Sequence, residues 1–169
     1  VSGATALTHL YCNNNQLITL DVSMNTALIY LHCDSNNIIS LDISNNLVLS
    51  NLRCGYNQLA NLDVNSDTAL IQLWCNNNQL TSLNVSNNLA LTVLRCNHNQ
   101  LMSLDVSNNT ELIALRTHNN QCTSLNVNGS TSLSALWCQN NQLNSLDVSS
   151  NTALISLRLF NNQLINLDI

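Results

Sequence analysis

The residues with reactive or charged side chains recur at fixed intervals along this chain. Cys12, Cys33, Cys54, Cys75, Cys96 and Cys138 stand 21 or 42 residues apart, and Cys122 alone breaks the series. Two chemistries need cysteine in numbers: structural zinc and disulfides. Zinc motifs gather ligands at short spacings such as CxxC, which this sequence lacks. Parallel side chains pointing the same way rarely reach disulfide geometry. Thr117 and Leu159 fill the cysteine slot elsewhere, and Cys122 fills a leucine slot. The slot therefore asks for volume, and the cysteines read as small buried hydrophobes.

The histidines, His9, His32, His98 and His118, fall at four different phases of the same interval. No serine or cysteine recurs beside them, so a nucleophile–base pair has no support. They read as solvated surface residues, and neither catalysis nor a cofactor is implied. The carboxylates are more ordered. Asp21, Asp42, Asp63, Asp105, Asp147 and Asp168 share one phase, with Asn84 and Asn126 in its two remaining slots. Neighbours in such a ladder repel by about 0.9 kcal/mol even in water. Calcium bridging would relieve that; so would hydrogen bonds at a turn, from Ser103 or Ser107 in the case of Asp105. Replacement by asparagine twice favours hydrogen bonding.

One further column holds every arginine and both tryptophans: Tyr11, His32, Arg53, Trp74, Arg95, Arg116, Trp137 and Arg158. Rings and guanidiniums could stack along it through cation–π contacts. The same side chains are the usual anchors of recognition surfaces. Arg95 and Arg116 are adjacent and alike in charge, which mere covering of a sheet would not favour, and this points to ligand binding. Flanking positions widen the stripe, with Tyr30 and His9 on one side, His118 and Phe160 on the other, then Tyr56 and His98. Aromatics among amides and arginines suit a glycan or an acidic protein surface.

The element that must position these columns is a unit of 21 residues written eight times. Leucines lead it at Leu7, Leu28, Leu49, Leu70, Leu91, Leu112, Leu133 and Leu154, each followed three residues later by another. A third leucine follows thirteen residues on, and an asparagine eight residues on, from Asn15 to Asn162. A period of this length is the mark of a solenoid. In Val93-Leu94-Arg95-Cys96 the side chains alternate between two faces, which is the period of a strand. Stacked coils align these strands about 4.8 Å apart into a parallel sheet, giving a rod of about 38 Å. Ser103-Leu104-Asp105-Val106 alternates again, and 21 residues leave no room for a full helix. The predicted fold is a β-rich solenoid with a parallel sheet on one face and short extended segments on the other. The ladder asparagine, Asn99 in this unit, is expected to bond backbone at the turn and the copies above and below.

Asparagine makes up 33 of the 169 residues, a share that suggests a disordered tract until its fixed phases are seen. There is no proline to mark a boundary, so residues 1–169 read as a single array. Val1 occupies the phase of Val22 and Ile169, and neither end has a polar cap, so an uncapped excerpt of a longer array is expected. Net charge is −5 without lysine, which makes nucleic acid a poor partner. No apolar run is long enough to span a bilayer, so membrane insertion is not expected.

The motif LxxLxCxxNQLxSLDVSxNTA resembles the bacterial leucine-rich repeat, above all the cysteine-ladder type of internalin-like and Bacteroidetes surface proteins. The resemblance covers the whole chain. It implies a non-catalytic extracellular or cell-surface module for binding or adhesion, with a protein or glycan partner. The alternative is structural: the arginine stripe of one copy meets the aspartate ladder of another, and the arrays associate into a filament or spacer.

Overall fold

Leu10, Leu31, Leu52 and their successors are each the middle residue of a three-residue strand, inward-facing between two outward neighbours. The computed structural model describes residues 3–169; Val1 and Ser2, which the repeat pairs with Val22 and Ser23, lie outside the described residues. Twelve strands follow in chain order: β1 (His9–Tyr11), β2 (Tyr30–His32), β3 (Asn51–Arg53), β4 (Gln72–Trp74), β5 (Val93–Arg95), β6 (Ser103–Asp105), β7 (Ala114–Arg116), β8 (Ser124–Asn126), β9 (Ala135–Trp137), β10 (Ser145–Asp147), β11 (Ser156–Arg158) and β12 (Asn166–Asp168). One strand per coil builds an eight-stranded sheet in the order β1-β2-β3-β4-β5-β7-β9-β11. Every pairing is parallel and offset by one repeat, as in Arg53↔Trp74 and Arg95↔Arg116.

The opposite side is less regular. Among the described residues only β6–β8 and β10–β12 pair there, as two separate two-stranded sheets. The aspartate column therefore runs along short extended segments, and no continuous second sheet carries it. No single side chain accounts for the absence of strands on this side of the first four coils.

Between the two sides lies one continuous core. Leu28, Leu49, Leu70, Leu91, Leu112 and Leu133 have no exposed surface, and neither do Leu31, Leu52, Leu73 and Leu94. Each such leucine contributes about 1.5–3 kcal/mol from removal of apolar surface from water. Cys33, Cys54, Cys75, Cys96, Cys122 and Cys138 are buried among them as free thiols. Burial pushes the Cys96 and Cys138 thiols up to about 12 and Cys122 up to about 11. Cys12 is half-buried. Gly129 marks a close approach between coils, since a Cβ there would meet the Ser107 carbonyl oxygen at 1.7 Å.

Polar ladders hold the turns. Asn78 Nδ2 donates to the Cys54 and Cys75 carbonyls at 3.0 and 3.1 Å, while its Oδ1 accepts from Leu59 N at 2.9 Å. Asn36, Asn57, Asn99, Asn120, Asn141 and Asn162 repeat the pattern. The bonds run to backbone of the same and the preceding coil, so these amides do not bond one another as expected from sequence. Amide-to-amide stacking occurs one residue earlier, where Asn140 Nδ2 donates to Asn119 Oδ1 at 2.7 Å and Asn161 Nδ2 to Asn140 Oδ1 at 2.8 Å.

A second ladder, at the turn before each leading leucine, is fully buried. Asn46 Nδ2 donates to the Val22 and Asn25 carbonyls, Asn88 to those of Val64 and Asp67, and Asn109 to those of Val85 and Asn88, at 2.8–3.2 Å. Asn151 does the same, and Ser130 spans its own gap with a single hydroxyl bond of 2.7 Å. Asp67 occupies this ladder in the third coil with 1% of its surface exposed. Its side chain has no N–H to offer, and both carboxylate oxygens lack a hydrogen-bond partner. Burial, then the charges of Asp63 and Asp42, push its carboxyl up to about 6.

Candidate functional site: the sheet face

The pleat turns the residues on either side of each strand's central leucine outward, so two columns stand side by side on the eight-stranded sheet. In the column proposed for binding, the strand register runs Tyr11, His32, Arg53, Trp74, Arg95, Arg116, Trp137 and Arg158 without a gap. The structure thus brings all eight together on one ridge. What it makes of them is more specific than a mixed stripe. Arg53 and Arg95, the strand neighbours of Trp74 on its two sides, lie over its ring, with guanidinium carbons 3.8 and 3.7 Å from a Trp74 ring centroid. Arg116 and Arg158 flank Trp137 in the same way, at 4.1 and 4.0 Å. The ridge is two Arg–Trp–Arg sandwiches meeting at Arg95 and Arg116.

Among the described residues none of the four arginines makes an ion pair or a side-chain hydrogen bond. Arg53 Nε, Arg95 Nε and Trp74 Nε1 are enclosed and donate to nothing. Partial burial, then Arg116 and Arg53 nearby, lower the affinity of Arg95 for its proton. It remains charged at any physiological pH.

His9 and His98 are exposed, as expected of surface histidines, while His32 and His118 are half-buried, and the four are not dispersed over the surface. All four sit on this face because their phases are those of outward positions on the sheet and its exit turn. His9 stacks on Tyr30 with ring centroids 4.6 Å apart, and Tyr11 meets His32 edge-on at 4.8 Å. His98 meets His118 edge-on at 5.4 Å, and His118 lies 6.3 Å from Trp137. Desolvation lowers the pKa of His32 and His118; Arg53 adds to this at His32, and His98, Arg116 and Arg158 add to it at His118. Both therefore favour the neutral ring.

At the exit turn the backbone is left-handed in every coil, with φ between 52° and 56°. Asparagine, which tolerates this region, fills the position at Asn14, Asn77, Asn119, Asn140 and Asn161. Ser35, Tyr56 and His98 fill the others, and a bulky side chain there is strained. The sequence flagged Tyr56 and His98 only as flanking aromatics. Their departure from asparagine at a fixed phase was the stronger signal. Tyr56 borders a shallow groove of about 330 Å³ on the sheet face, with Asp34 at one end and Arg53, Trp74, Arg95, Arg116 and His118 along it.

The aspartate column lies elsewhere and is explained locally. Asp21, Asp42, Asp63, Asp105 and Asp147 each accept through Oδ1 from the backbone N–H two residues ahead, at 2.8–3.0 Å. Ser23 and Ser149 hydroxyls donate to Asp21 and Asp147 as well, at 2.7 and 2.6 Å. For Asp105 the partner is Ser107. These bonds hold Asp21, Asp42, Asp105 and Asp147 below the usual carboxylate range. Among the described residues no group of three or more His, Cys, Asp or Glu is placed to hold a metal ion.

Comparison with solved structures decides the fold. The chain superposes on the functional domain of InlJ from Listeria monocytogenes, which includes a cysteine ladder, with a TM-score of 0.65 and 25% identity over 99% of this chain. A leucine-rich repeat protein of Leptospira interrogans gives 0.87 and 28% over 94%. YopM, a leucine-rich effector protein from Yersinia pestis, gives 0.85 and 26% over 97%. The fold is that of a leucine-rich repeat array, and its column of buried cysteines is similar to the cysteine ladder of InlJ. The repeat array spans about half of those proteins: 54%, 44% and 46% of the respective chains. No family model matches its sequence, and no curated protein does either. Those neighbours are leucine-rich repeat proteins, a non-enzymatic, protein-binding fold.

Proposed function

We propose that the array is a binding module whose sheet face, centred on Arg53, Trp74, Arg95, Arg116, Trp137 and Arg158, holds a protein partner. The observation that carries this reading is the unpaired state of the four arginines. Four guanidiniums held rigid by two indoles, with no acid of their own chain on them, form a preorganised surface. Strain at Tyr56 on the rim supports it, since such strain gathers at binding sites. Likeness to internalins supports an extracellular or cell-surface setting. A plant peptide hormone receptor solved with its peptide shares the fold, at a TM-score of 0.74 and 21% identity. The covered ring faces favour a polar protein surface over a stacked sugar.

The test is capture from arrays of peptides, folded proteins and glycans, using wild type and the Trp74→Ala/Trp137→Ala double variant in parallel. Partners held by wild type and lost by a folded double variant support the reading. A partner held equally by both overturns it.

A second reading is lateral self-association. It is favoured by the aspartate column, which has the same coil repeat as the arginine column and in which hydrogen bonds favour the ionised form of Asp21, Asp42, Asp105 and Asp147. Sedimentation that shifts with concentration and reverts in salt supports this; a species that stays monomeric at high concentration overturns it.

A further inference from the structure

On the sheet face the four guanidiniums have aromatic partners and no anionic ones. A guanidinium offers two kinds of surface: flat faces that stack on rings, and an in-plane edge that carries its N–H donors. Trp74 and Trp137 take a face from each arginine, so what remains for a ligand is the edge. That edge fits a carboxylate through two parallel hydrogen bonds. Each indole in turn has an arginine from the coil on either side, which leaves neither indole free for a sugar or an apolar side chain. The exposed rings of Tyr11, Tyr56 and Phe160 lie apart from one another at the rim.

We infer that the groove along Arg53, Arg95 and Arg116 takes an acidic polypeptide segment, bound through its carboxylates on the guanidinium edges. The inference rests on the sheet face being the binding surface, and it adds the chemistry of what is bound. Arg95 and Arg116 are register partners on adjacent strands, about 4.8 Å apart. One carboxylate can bridge both and relieve their repulsion. Asp34 lines the groove in the coil before Arg53, so its charge would direct the acidic segment towards Arg116. Asn76 and Asn97 border the same groove, and their amides can pair with a ligand's main-chain N–H and C=O groups. A polyphosphate is a poorer fit, because the chain as a whole carries −5 and repels a long polyanion beyond this one patch.

The test uses a labelled octapeptide of alternating glutamate and serine, its glutamine counterpart, and fluorescence anisotropy at low and high salt. Wild type is expected to bind the glutamate peptide about tenfold or more tightly than the glutamine one, and less tightly as salt rises. Arg95→Gln with Arg116→Gln is expected to lose about tenfold or more. Arg116→Lys keeps the charge without the fork and should fall between, which separates edge recognition from a folding defect. Equal binding of the two peptides overturns the carboxylate assignment and leaves the sheet face a binding surface. Absence of binding to the glutamate peptide overturns it too. A sulfated oligosaccharide that displaces the peptide at lower concentration overturns the choice of polypeptide.

Discussion

Arg95 and Arg116 face each other on neighbouring strands, each stacked on a different tryptophan and neither paired with an acid. Like charges directly opposite in a sheet are destabilising, by a few tenths of a kcal/mol up to about 1. Arg116→Gln removes that repulsion together with the stacking on Trp137, contributions of similar size. It should leave the thermal midpoint nearly unchanged while weakening acidic ligands. Differential scanning calorimetry alongside the anisotropy titration checks this. A variant that loses stability and binding together would mean the arginine serves the fold.

Asp67 gives the clearest dependence on pH. Its folded-state pKa, about 6, lies above its ordinary value near 3.9. Its contribution is complete below about pH 4 and is lost as pH rises through about 6. Protonated, it can donate one bond to the carbonyl that an asparagine of this ladder would reach; ionised, it has nothing to donate. Asp67→Asn should stabilise the array at neutral pH by about 1–3 kcal/mol. It should also flatten the decline between pH 4 and 7 seen in urea melts of wild type. An unchanged pH profile would show that Asp67 has found another donor.

Tyr56→Asn places the favoured residue at a left-handed position. Relief of backbone strain should add about 1 kcal/mol to stability, at the cost of one wall of the groove. Chemical denaturation measures the first effect and peptide binding the second. Loss of stability would show that Tyr56 is held by packing instead.

Thiol accessibility tests the core. Cys12 is the half-buried thiol and the other six are buried, so a thiol reagent at mildly alkaline pH should modify Cys12 first and the rest only on unfolding. Rapid modification of several thiols in the native state would contradict the packing.

Much of this was legible beforehand. The 21-residue period set the stacking of like residues, so the ridge from Tyr11 to Arg158 and the burial of the cysteines followed from phase alone. What phase does not give is the third dimension of each side chain. Whether Trp74 offers its ring to a ligand or to Arg53 and Arg95 depends on rotamers between coils, and the rings turned inward along the stack. The burial of Asn46, Asn88 and Asn109 is not legible from sequence, because a buried amide ladder and an exposed turn use the same letter. Asp67, the one residue whose chemistry breaks that ladder, was hidden by the same ambiguity. The discontinuous second side was out of reach too, since Ser82-Leu83-Asn84 and Ser124-Leu125-Asn126 read alike and only the latter is a strand.

The most direct measurement is the proton NMR spectrum of the arginine side chains. Guanidiniums seated on indole faces should show upfield ring-current shifts at the δ and ε protons of Arg53, Arg95, Arg116 and Arg158. Those of Arg53 and Arg95 should return to ordinary values in Trp74→Ala, and those of Arg116 and Arg158 in Trp137→Ala. Unshifted arginine resonances in the folded wild-type protein would contradict the stacked ridge and the binding surface built on it.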